Sequence, residues 1–396
     1  MQRYDYLIIG GGQVSDNASR AIRSRDETAS IGILSSDADQ PYSRPALSKK
    51  LWADPDFTIE DDFMSTAEDT GAEVTTSTEV TSIDTAAKEV EVAGGARIGY
   101  GALLLATGAR AATIEAPDDE RVVTLRSLED YRTLRRLATP DARAVVLGGG
   151  YIGQEIAAAL AGEGLEKVTL VHDGALLSEG RFPADLAQRY TRMFTDHGVT
   201  VLPHHRGERV EADGDDLAVV LDDGTRLDAT LVVVALGSEL NTGIAREAGL
   251  EVDEDGAVVV DEYLRTSNEH VWAAGDIISY PDALLGRRRI EHIDHARKSG
   301  DVAGASMTGE DVAYEHTPFF YSQVFGNRWE AVGETSTQHE TLEVPLDDGR
   351  LVVYYLDDAG KPVGVLAWKV KDAMDDARQV IADGVTDPDE LRARIR

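Results

Sequence analysis

The sequence predicts an α/β protein built on two βαβ units, followed by a C-terminal α+β segment. In the first unit, apolar runs at 6–9 and 30–34 lie on either side of the turn Gly10-Gly11-Gly12 and a helical stretch. The same order recurs with apolar runs at 144–147 and 168–171 around a second glycine-rich turn. A strand, a crossover helix and another strand within roughly 30 residues form a right-handed unit with parallel strands. We therefore expect two parallel sheets covered by helices.

Chain length and three further apolar runs predict how these units divide the chain. At 396 residues the chain exceeds what one hydrophobic core usually supports. Runs at 103–108, 232–237 and 271–276 each end in glycine or in Gly-Asp, which suggests that the first domain resumes after the second. The predicted domains are a discontinuous first domain of residues 1–115 and 238–308, a second domain of residues 116–237 and a C-terminal domain of residues 309–396.

The C-terminal domain is predicted to mix strands and helices. Apolar runs at 351–355 and 363–370 flank a turn that contains Gly360. This pattern is typical of an antiparallel hairpin. Helices are expected after it, at 371–382 and 388–396.

The charge of the chain excludes one class of partner. Its formal net charge is −33 and its sequence pI is about 4.5, so the phosphates of a nucleic acid would be repelled. The acidic residues are scattered, which indicates a solvated surface rather than an interaction tail. A halophilic-type proteome with a high-salt cytosol is our hypothesis, because the Debye length falls to about 3 Å at 1 M salt.

Membrane and export signals are not found in the sequence. The longest apolar runs, such as 103–106 and 231–236, are far shorter than the roughly 20 residues that cross a bilayer. The N-terminus lacks the charged, apolar and small-residue regions of a signal peptide. A soluble, cytoplasmic protein without a membrane span is expected, and no metal site is predicted.

The chain contains no cysteine. A disulfide oxidoreductase needs two thiols to relay electrons, so that activity is excluded. Any electrons that enter such a protein must leave it for an external acceptor.

The second glycine-rich turn has the spacing of a dinucleotide site, Gly148-x-Gly150-x-x-Gly153, with Tyr151 and Ile152 inside it. The first glycine permits a tight turn, the second lets the backbone approach a pyrophosphate, and the third allows close helix packing. Free N–H groups at the helix start then bind the phosphates.

Asp173, after the next strand, is placed to accept the ribose hydroxyls of an adenosine. A carboxylate there repels a 2′-phosphate, so NADH is favoured over NADPH as the coenzyme. The alternative is that Asp173 only starts an Asp173-Gly174 turn. His172 beside it leaves the assignment open.

The first turn departs mildly from this spacing. It reads Gly10-x-Gly12-x-x-Ser15, with Gln13 and Val14 between, and serine is still small enough for helix packing. Either Ser36 or Asp37, after the second strand, could hold the ribose, and the sequence leaves both open.

Two cations follow in a proline-stiffened loop, at Arg44 and Lys49 within 41–49. Prolines make such a loop rigid, and it would present its charges to an anion. A solvated surface loop is the alternative interpretation.

This loop resembles the PYxRPxLSK motif of FAD-dependent ferredoxin and rubredoxin reductases, which are pyridine nucleotide oxidoreductases, and most closely their apoptosis-inducing factor branch. The resemblance covers nearly the whole chain, through the segments 122–134, 274–276, 287–296, 354–356 and 364–368. It implies two Rossmann-like nucleotide-binding domains arranged as in glutathione reductase. It does not extend to the targeting and membrane segments or long insertions of the animal proteins, so cell-death roles are not carried over.

The resemblance also implies site residues. Those expected at FAD are Gly10, Gly12, Gln13, Val14, Ser15, Ser36, Asp37, Arg44, Lys49, Val80, Thr107, Gly108, Arg126, Gly275, Asp276, His292, Ile293 and Tyr321. Those expected at NADH are Gly148, Gly150, Tyr151, Ile152, Gly153, Glu155, Asp173, Gly237 and Glu291.

Two of these positions have an alternative, purely structural interpretation. Tyr321 would lie beside the flavin and nicotinamide, or it would pack in a core with its aromatic neighbours. Glu155 would form the catalytic pair with Lys49. Alternatively, it would be an acidic residue that the helix dipole favours near the N-terminus, and the two roles are compatible.

The implied activity is hydride transfer from NADH to FAD, followed by electron transfer to a ferredoxin- or rubredoxin-type carrier. The alternatives are a slow NADH-binding redox sensor or assembly protein, and an NADH:quinone or oxygen oxidase. The acidic surface weighs slightly against docking of an acidic ferredoxin, an objection that high salt weakens. The oligomeric state is left open, and a homodimer is one candidate.

Overall fold

A computed structural model describes residues 2–396 of the chain. These residues form two compact units. The first comprises the chain up to Ser43, Thr58–Arg110 and Glu239–Phe319. The second comprises Arg44–Phe57, Ala111–Ser238 and Phe320–Arg396. The three-domain boundaries stay a prediction.

The strands and helices are numbered here in chain order. The first strands are β1 Gln2–Ile9, β2 Ile31–Leu34, β3 Glu73–Thr75, β4 Val80–Asp84, β5 Glu89–Val92, β6 Arg97–Leu105, β7 Ala109–Ala111, β8 Val122–Thr124, β9 Arg143–Leu147, β10 Lys167–Val171, β11 Val199–Leu202, β12 Gly207–Asp213 and β13 Asp216–Leu221. The later strands are β14 Arg226–Ala229, β15 Leu231–Val234, β16 Ser238–Leu240, β17 Val258–Val259, β18 Val271–Ala273, β19 Ile278–Asp282, β20 Gly286–Arg288, β21 Phe319–Val324, β22 Asn327–Gly333, β23 Glu340–Pro345, β24 Leu351–Leu356 and β25 Pro362–Trp368. The helices are α1 Gln13–Arg23, α2 Lys50–Ala53, α3 Thr66–Thr70, α4 Leu128–Leu137, α5 Tyr151–Gly162, α6 Ala184–Asp196, α7 Gly243–Glu247, α8 Ile293–Met307, α9 Met374–Asp383 and α10 Pro388–Arg394.

The first unit is built on a sheet with the strand order β3-β2-β1-β6-β5-β4, with β18 also paired to β6. The pairs β1–β2, β1–β6, β2–β3 and β6–β18 are parallel. Besides its ladder with β1, strand β6 forms two others, because its residues 97–99 pair with β5 and its residues 103–105 pair with β18. Parallel strands are buried on both faces, which explains their nearly continuous apolar runs.

Helices α1 and α8 of the first unit pack closely through two glycines. A Cβ on Gly300 would lie 2.7 Å from the Val14 carbonyl oxygen, and one on Gly304 would lie 2.5 Å from that of Ala18. Side chains at these positions would push the helices apart. The start of α1, where the first glycine turn ends, is therefore held firmly against α8.

The second unit contains a five-stranded parallel sheet, β11-β10-β9-β15-β8. A small antiparallel sheet, β12-β13-β14, accompanies it. The C-terminal part forms a third sheet, β21-β22-β25-β24-β23, with α9 packed on β22 and β25. The Tyr354 hydroxyl donates to the Leu391 carbonyl at 2.8 Å, which ties α10 to this sheet.

The predicted α/β class, the two parallel units and the C-terminal hairpin are confirmed. The helix predicted at 371–382 begins later, at Met374. The cause is local, since Lys369 and Asp372 have φ values of 58° and 56°, in the left-handed region that a right-handed helix cannot use. Within residues 2–396, no helix combines the length and the apolar character that a bilayer crossing requires.

Candidate functional site

The first glycine turn joins β1 to α1. Gly10 has φ +119°, and a Cβ there would overlap the Ala106 carbonyl oxygen. Gly12 is the N-cap of α1 and makes no side-chain capping bond, so N–H groups at the helix start remain available to a phosphate. Ser15 is fully buried and its hydroxyl donates to the Gly10 carbonyl. This hydrogen bond ties the first turn of α1 to the first glycine of the loop.

Three residues follow β2 where the sequence predicts contacts with a ribose. Ser35 follows β2 directly, is 2% exposed and occupies the space that a Cβ on Gly11 would need. Ser36 is exposed, and the Asp37 carboxylate accepts from the Tyr42 hydroxyl at 2.8 Å. The choice between Ser36 and Asp37 stays a prediction, and Ser35 is a neighbour that the sequence did not single out.

Other residues predicted at FAD gather around the start of α1. Gly275 has φ +76°, and a Cβ there would lie 2.7 Å from Val14 Cγ2. The Gly275 N–H donates to Ser299 Oγ at 3.0 Å, and Asp276 is the next residue. The structure therefore places the 275–276 segment beside the start of α1, and its predicted contact with FAD stays a prediction.

Thr107 and Gly108 are held by a residue that sequence reasoning missed. Asn241 accepts from the Thr107 hydroxyl at 2.6 Å and donates to the Thr107 carbonyl at 3.0 Å. Its own N–H donates to the Gly108 carbonyl at 2.9 Å. Gly108, with φ +59°, ends the turn that follows β6.

The remaining predicted residues of the first unit lie at element boundaries. His292 caps α8, its Nδ1 accepting from the Asp294 N–H at 3.2 Å, and Ile293 begins that helix. Val80 begins β4 and is 7% exposed, while Glu291 pairs with Arg289 at 2.5 Å. Their predicted contacts with FAD or NADH stay predictions.

The second glycine turn requires glycine at two of its three positions on steric grounds. Gly148 has φ +111° and its Cβ would overlap the Ala235 carbonyl. A Cβ on Gly153 would overlap the Gly148 carbonyl. Gly150, by contrast, is the N-cap of α5 with open space beside it. That free space is what the second glycine of a pyrophosphate-binding turn should provide.

Two apolar side chains near this turn stay exposed. Among residues 2–396, the large apolar side chains left exposed are Ile152 at 38% and Leu236 at 41%. Leu236 follows β15, beside Gly148, and precedes Gly237, which has φ +106° and no neighbour within 4 Å of a Cβ. An exposed apolar pair beside a nucleotide turn suits a flat aromatic ligand.

Tyr151 points away from solvent, into an aromatic cluster. Its ring centroid lies 5.6 Å from that of Trp329, and the guanidinium carbon of Arg181 lies 4.4 Å from the Tyr151 ring. Burial raises the pKa of Tyr151 to about 12. At the start of α5, its backbone N–H rather than its side chain is available to a phosphate.

His172 packs against the second glycine turn. His172 follows β10 directly, is 5% exposed, and its Cβ would lie 2.6 Å from a Cβ on Gly149. Asp173 comes one residue later, is 63% exposed and pairs with Arg206 at 2.8 Å. The predicted role of Asp173 stays a prediction, and His172 and Arg206 are neighbours to consider with it.

Lys49 and Glu155 form a buried ion pair, as the resemblance implies. Lys49 Nζ lies 2.6 Å from Glu155 Oε2, with side chains 17% and 1% exposed. Ser48 Oγ donates to the same oxygen at 2.6 Å, and Ser322 Oγ donates to Glu155 Oε1 at 2.7 Å. Both carboxylate oxygens are therefore satisfied, which a buried charge requires. The two serines were missed by sequence reasoning, because only the fold brings them to Glu155.

The loop that carries Lys49 is anchored on α4. Residues Arg44–Ser48 form a 3₁₀ turn, and Arg44 Nε donates to the Arg126 carbonyl at 3.2 Å. The Arg126 N–H in turn donates to Asp130 in the capping box of α4, at 2.8 Å. The two predicted arginines are thus neighbours.

Tyr321 lies under two cations rather than in a closed core. Lys49 Nζ lies 5.5 Å from its ring centroid, and the guanidinium carbon of Arg328 lies 4.1 Å from it. The ring is half-buried. Arg328 is a further neighbour that the sequence did not indicate.

The two parallel units, each with a glycine turn and an uncapped helix start, define a dinucleotide-binding oxidoreductase. Residues 4–300 match the family described as pyridine nucleotide-disulphide oxidoreductases. The chain belongs to this family.

Relatives and solved structures are similar over nearly the whole chain. A mitochondrial apoptosis-inducing factor 1 of Dictyostelium discoideum is 31% identical, over 96% of this chain and 79% of that protein. The ferredoxin–NAD(+) reductase component of an anthranilate 1,2-dioxygenase system of Burkholderia cepacia is 32% identical, over 98% of this chain and 96% of that protein. A putidaredoxin reductase, solved in covalent complex with putidaredoxin, superimposes with a TM-score of 0.90 at 25% identity, covering 99% of this chain and 96% of that chain.

The protein is an FAD-dependent oxidoreductase that uses NAD(H). The predicted family and cofactors are confirmed. Because the chain has no cysteine, the thiol relay that gives the family part of its name has no counterpart here.

Proposed function

We propose that the protein oxidises NADH and passes the electrons to a small ferredoxin- or rubredoxin-type carrier protein. The observation that carries this proposal is the presence of two dinucleotide turns in a chain without cysteine. One turn suits FAD and the other suits NADH, and with no thiol to accept electrons the acceptor is external. The similarity to the Burkholderia ferredoxin–NAD(+) reductase component and to putidaredoxin reductase supports a protein carrier.

Bound FAD supplies the redox chemistry, since it accepts a hydride and releases electrons singly or in pairs. The chain's own contribution on the flavin side is a fixed cation at Lys49. Glu155 and Ser48 hold Lys49 Nζ in one place, at 2.6 Å and 3.3 Å. A preorganised positive charge stabilises negative charge that develops nearby without paying for reorganisation.

On the NADH side, the free N–H groups of α5 would bind the pyrophosphate. The exposed Ile152 and Leu236 side chains would cover the nicotinamide and exclude water. Asp173 would accept the adenosine ribose hydroxyls. Holding both reactants in a fixed geometry supplies much of the rate of a hydride transfer.

A redox sensor with slow turnover is the second candidate. The similarity to the Dictyostelium apoptosis-inducing factor favours it. A quinone or oxygen oxidase, a homodimer, a cytoplasmic location and a salt-rich cytosol stay predictions of the sequence.

An acceptor panel separates these candidates. The holoprotein is supplied with NADH, and NADH consumption is followed with a ferredoxin, a rubredoxin, a soluble quinone or oxygen as the acceptor. The proposal predicts that a protein carrier supports the fastest turnover. Fastest turnover with quinone or oxygen would favour the oxidase, and slow turnover with every acceptor would favour the sensor.

A further inference from the structure

The carbonyl of Gly149, in the second glycine turn, is held by a side chain of the helix that follows. Gln154, in α5, is 2% exposed, and its Nε2 donates to the Gly149 carbonyl at 2.6 Å. Its backbone N–H donates to the Gly150 carbonyl at 3.0 Å. Gln154 therefore binds two consecutive carbonyls of the turn, one through its side chain and one through its backbone.

The amide of Gln154 is fixed in one orientation. The Tyr190 hydroxyl donates to Gln154 Oε1 at 2.8 Å, and Gln154 Nε2 also donates to Ser178 Oγ at 3.1 Å. Burial raises the pKa of Tyr190, so its hydroxyl keeps the proton that it donates. A carbonyl can only accept, so the NH₂ group of Gln154 must face Gly149 and its oxygen must face Tyr190.

The peptide between Gly149 and Gly150 transmits this restraint to the next N–H. The peptide is trans, so its C=O and its N–H point in opposite directions. With the Gly149 carbonyl turned toward the buried Gln154, the Gly150 N–H points away from α5. Gly150 is exposed, and among residues 2–396 no acceptor is found for its N–H. This N–H is therefore available to an anion.

We propose that Gln154 is a positioning residue for the coenzyme pyrophosphate, because it fixes the peptide that presents the Gly150 N–H. This inference rests on the proposed function, since it assumes that NADH binds at the second glycine turn. Gln154 is not a catalytic residue, because it acts on the coenzyme only through the backbone of the turn.

A peptide between two glycines needs such a restraint. Glycine has more backbone freedom than any other residue, and a Gly149 carbonyl that rotated outward would present an acceptor to the oxygens of a pyrophosphate, which it would repel. A peptide that is fixed in advance binds its ligand without first losing this freedom. His172 restrains the same peptide sterically, because its Cβ lies 2.6 Å from the position of a Cβ on Gly149.

Binding of ADP-ribose to the holoprotein tests the role of Gln154 without turnover. Gln154→Met keeps an unbranched side chain of similar size that favours a helix, but removes the amide. We expect calorimetry to show that its dissociation constant for ADP-ribose rises by about tenfold. In stopped flow, the rate of flavin reduction at saturating NADH should change by less than about twofold, because the lost interaction affects binding and not the reacting geometry.

Two tyrosine variants separate positioning from stability. Tyr190→Phe removes the hydroxyl that orients Gln154, so the dissociation constant for ADP-ribose should rise by about threefold. The same change made in Gln154→Met should have no further effect on binding, since Tyr190 acts through Gln154. Tyr354→Phe is the matched control, because Tyr354 is also fully buried and also donates a 2.8 Å hydrogen bond, to the Leu391 carbonyl.

Tyr354→Phe should lower the melting temperature about as much as Tyr190→Phe does and should bind ADP-ribose as the wild type does. Equal weakening of ADP-ribose binding in the two tyrosine variants would overturn the inference, because a general loss of stability would then explain it. If Gln154→Met fails to fold, this comparison still decides the result.

The remaining outcomes separate the inference from the proposed function. Folded Gln154→Met that binds ADP-ribose as tightly as the wild type would overturn the positioning role and leave the proposed function standing. A fall in its rate at saturating NADH as large as its loss of binding would also overturn it, because Gln154 would then act on the hydride transfer itself. If the wild type does not bind ADP-ribose, the second turn is not the coenzyme site, and the proposed function fails with the inference.

Discussion

Lys49 Nζ lies 2.6 Å from a carboxylate oxygen of Glu155, whose side chain is only 1% exposed. A carboxylate this deeply buried is tolerated because Lys49, Ser48 and Ser322 together satisfy both of its oxygens. The pair therefore holds Lys49 in one place, and the family resemblance assigns this fixed cation to the flavin.

Removing the cation should affect chemistry more than cofactor retention. Lys49→Gln keeps a hydrogen-bond donor but removes the charge, so we expect the rate of flavin reduction by NADH to fall by about tenfold or more. FAD content should stay near that of the wild type. Stopped-flow absorbance measures the rate, and flavin released on denaturation measures the content.

Lys49→Arg is the control, because it preserves the charge and should keep more of the rate than Lys49→Gln. Loss of FAD with a normal reduction rate in the remaining holoprotein would reverse the assignment of Lys49.

The serine that bonds the other carboxylate oxygen should contribute to stability. Ser322→Ala removes the hydrogen bond that Ser322 Oγ donates to the buried Glu155 Oε1 at 2.7 Å, so we expect a loss of about 1–3 kcal/mol in the free energy of unfolding. Chemical denaturation measures it. Ser336→Ala, at a half-buried turn in the same unit, should cost less. Equal losses in the two variants would argue against a special role for Ser322.

Two glycines of the second turn should respond differently to alanine. Gly148→Ala should lower the melting temperature, because the new Cβ would overlap the Ala235 carbonyl and φ is +111°. Gly150→Ala meets open space at φ −76°, so stability should hold while the KM for NADH rises by about tenfold through the lost approach of the pyrophosphate. Gly180→Ala, also in open space, is the control. An unchanged KM in Gly150→Ala would argue against a pyrophosphate at this turn.

His295 should make the stability of the first unit depend on pH. It is fully buried, its Nδ1 lies 2.7 Å from the Tyr314 hydroxyl, and burial lowers its pKa from 6.5 to about 3. The neutral form is therefore favoured on folding. Its contribution is fully present above pH 6.5 and is lost as the pH falls toward 3, because the unfolded chain takes up a proton that the folded chain does not.

The test compares unfolding free energies of the wild type and His295→Gln between pH 7 and 4.5. The wild type should lose up to about 1.4 kcal/mol per pH unit more than the variant. Parallel pH profiles for the two proteins would contradict the assignment. Asp294, His292 and His316 contribute to the electrostatic environment of His295, so the difference between the two proteins, not either profile alone, carries the result.

Salt should stabilise the chain. With a net charge of −33, repulsion between surface carboxylates opposes the folded state and is screened at high ionic strength. The melting temperature should rise steadily with added KCl. Full stability in dilute buffer would count against the high-salt hypothesis.

The turns and the parallel units could be predicted from the sequence because their chemistry is local. Gly10, Gly148 and Gly153 each fill a place that excludes a side chain, and strand and helix patterns surround them. Asp173 was chosen by the same local logic, and its role at a ribose stays a prediction. His172, one position earlier, packs against Gly149, a contact that the spacing alone does not indicate.

Residues brought in by the fold could not be predicted. Ser322 reaches Glu155 from β21, Arg206 reaches Asp173 from the segment after β11, and Asn241 reaches Thr107 from the segment after β16. Each lies far from its partner along the chain, and serine, arginine and asparagine in such segments carry no distinctive pattern.

The most direct test of the account is a sequential stopped-flow experiment under anaerobic conditions. The holoprotein is first mixed with one equivalent of NADH and then with an oxidised [2Fe–2S] ferredoxin or with oxygenated buffer. The account predicts that NADH bleaches the flavin absorbance and that the ferredoxin restores it faster than oxygen does. A flavin that NADH does not bleach, or one that the ferredoxin reoxidises no faster than oxygen, would contradict it.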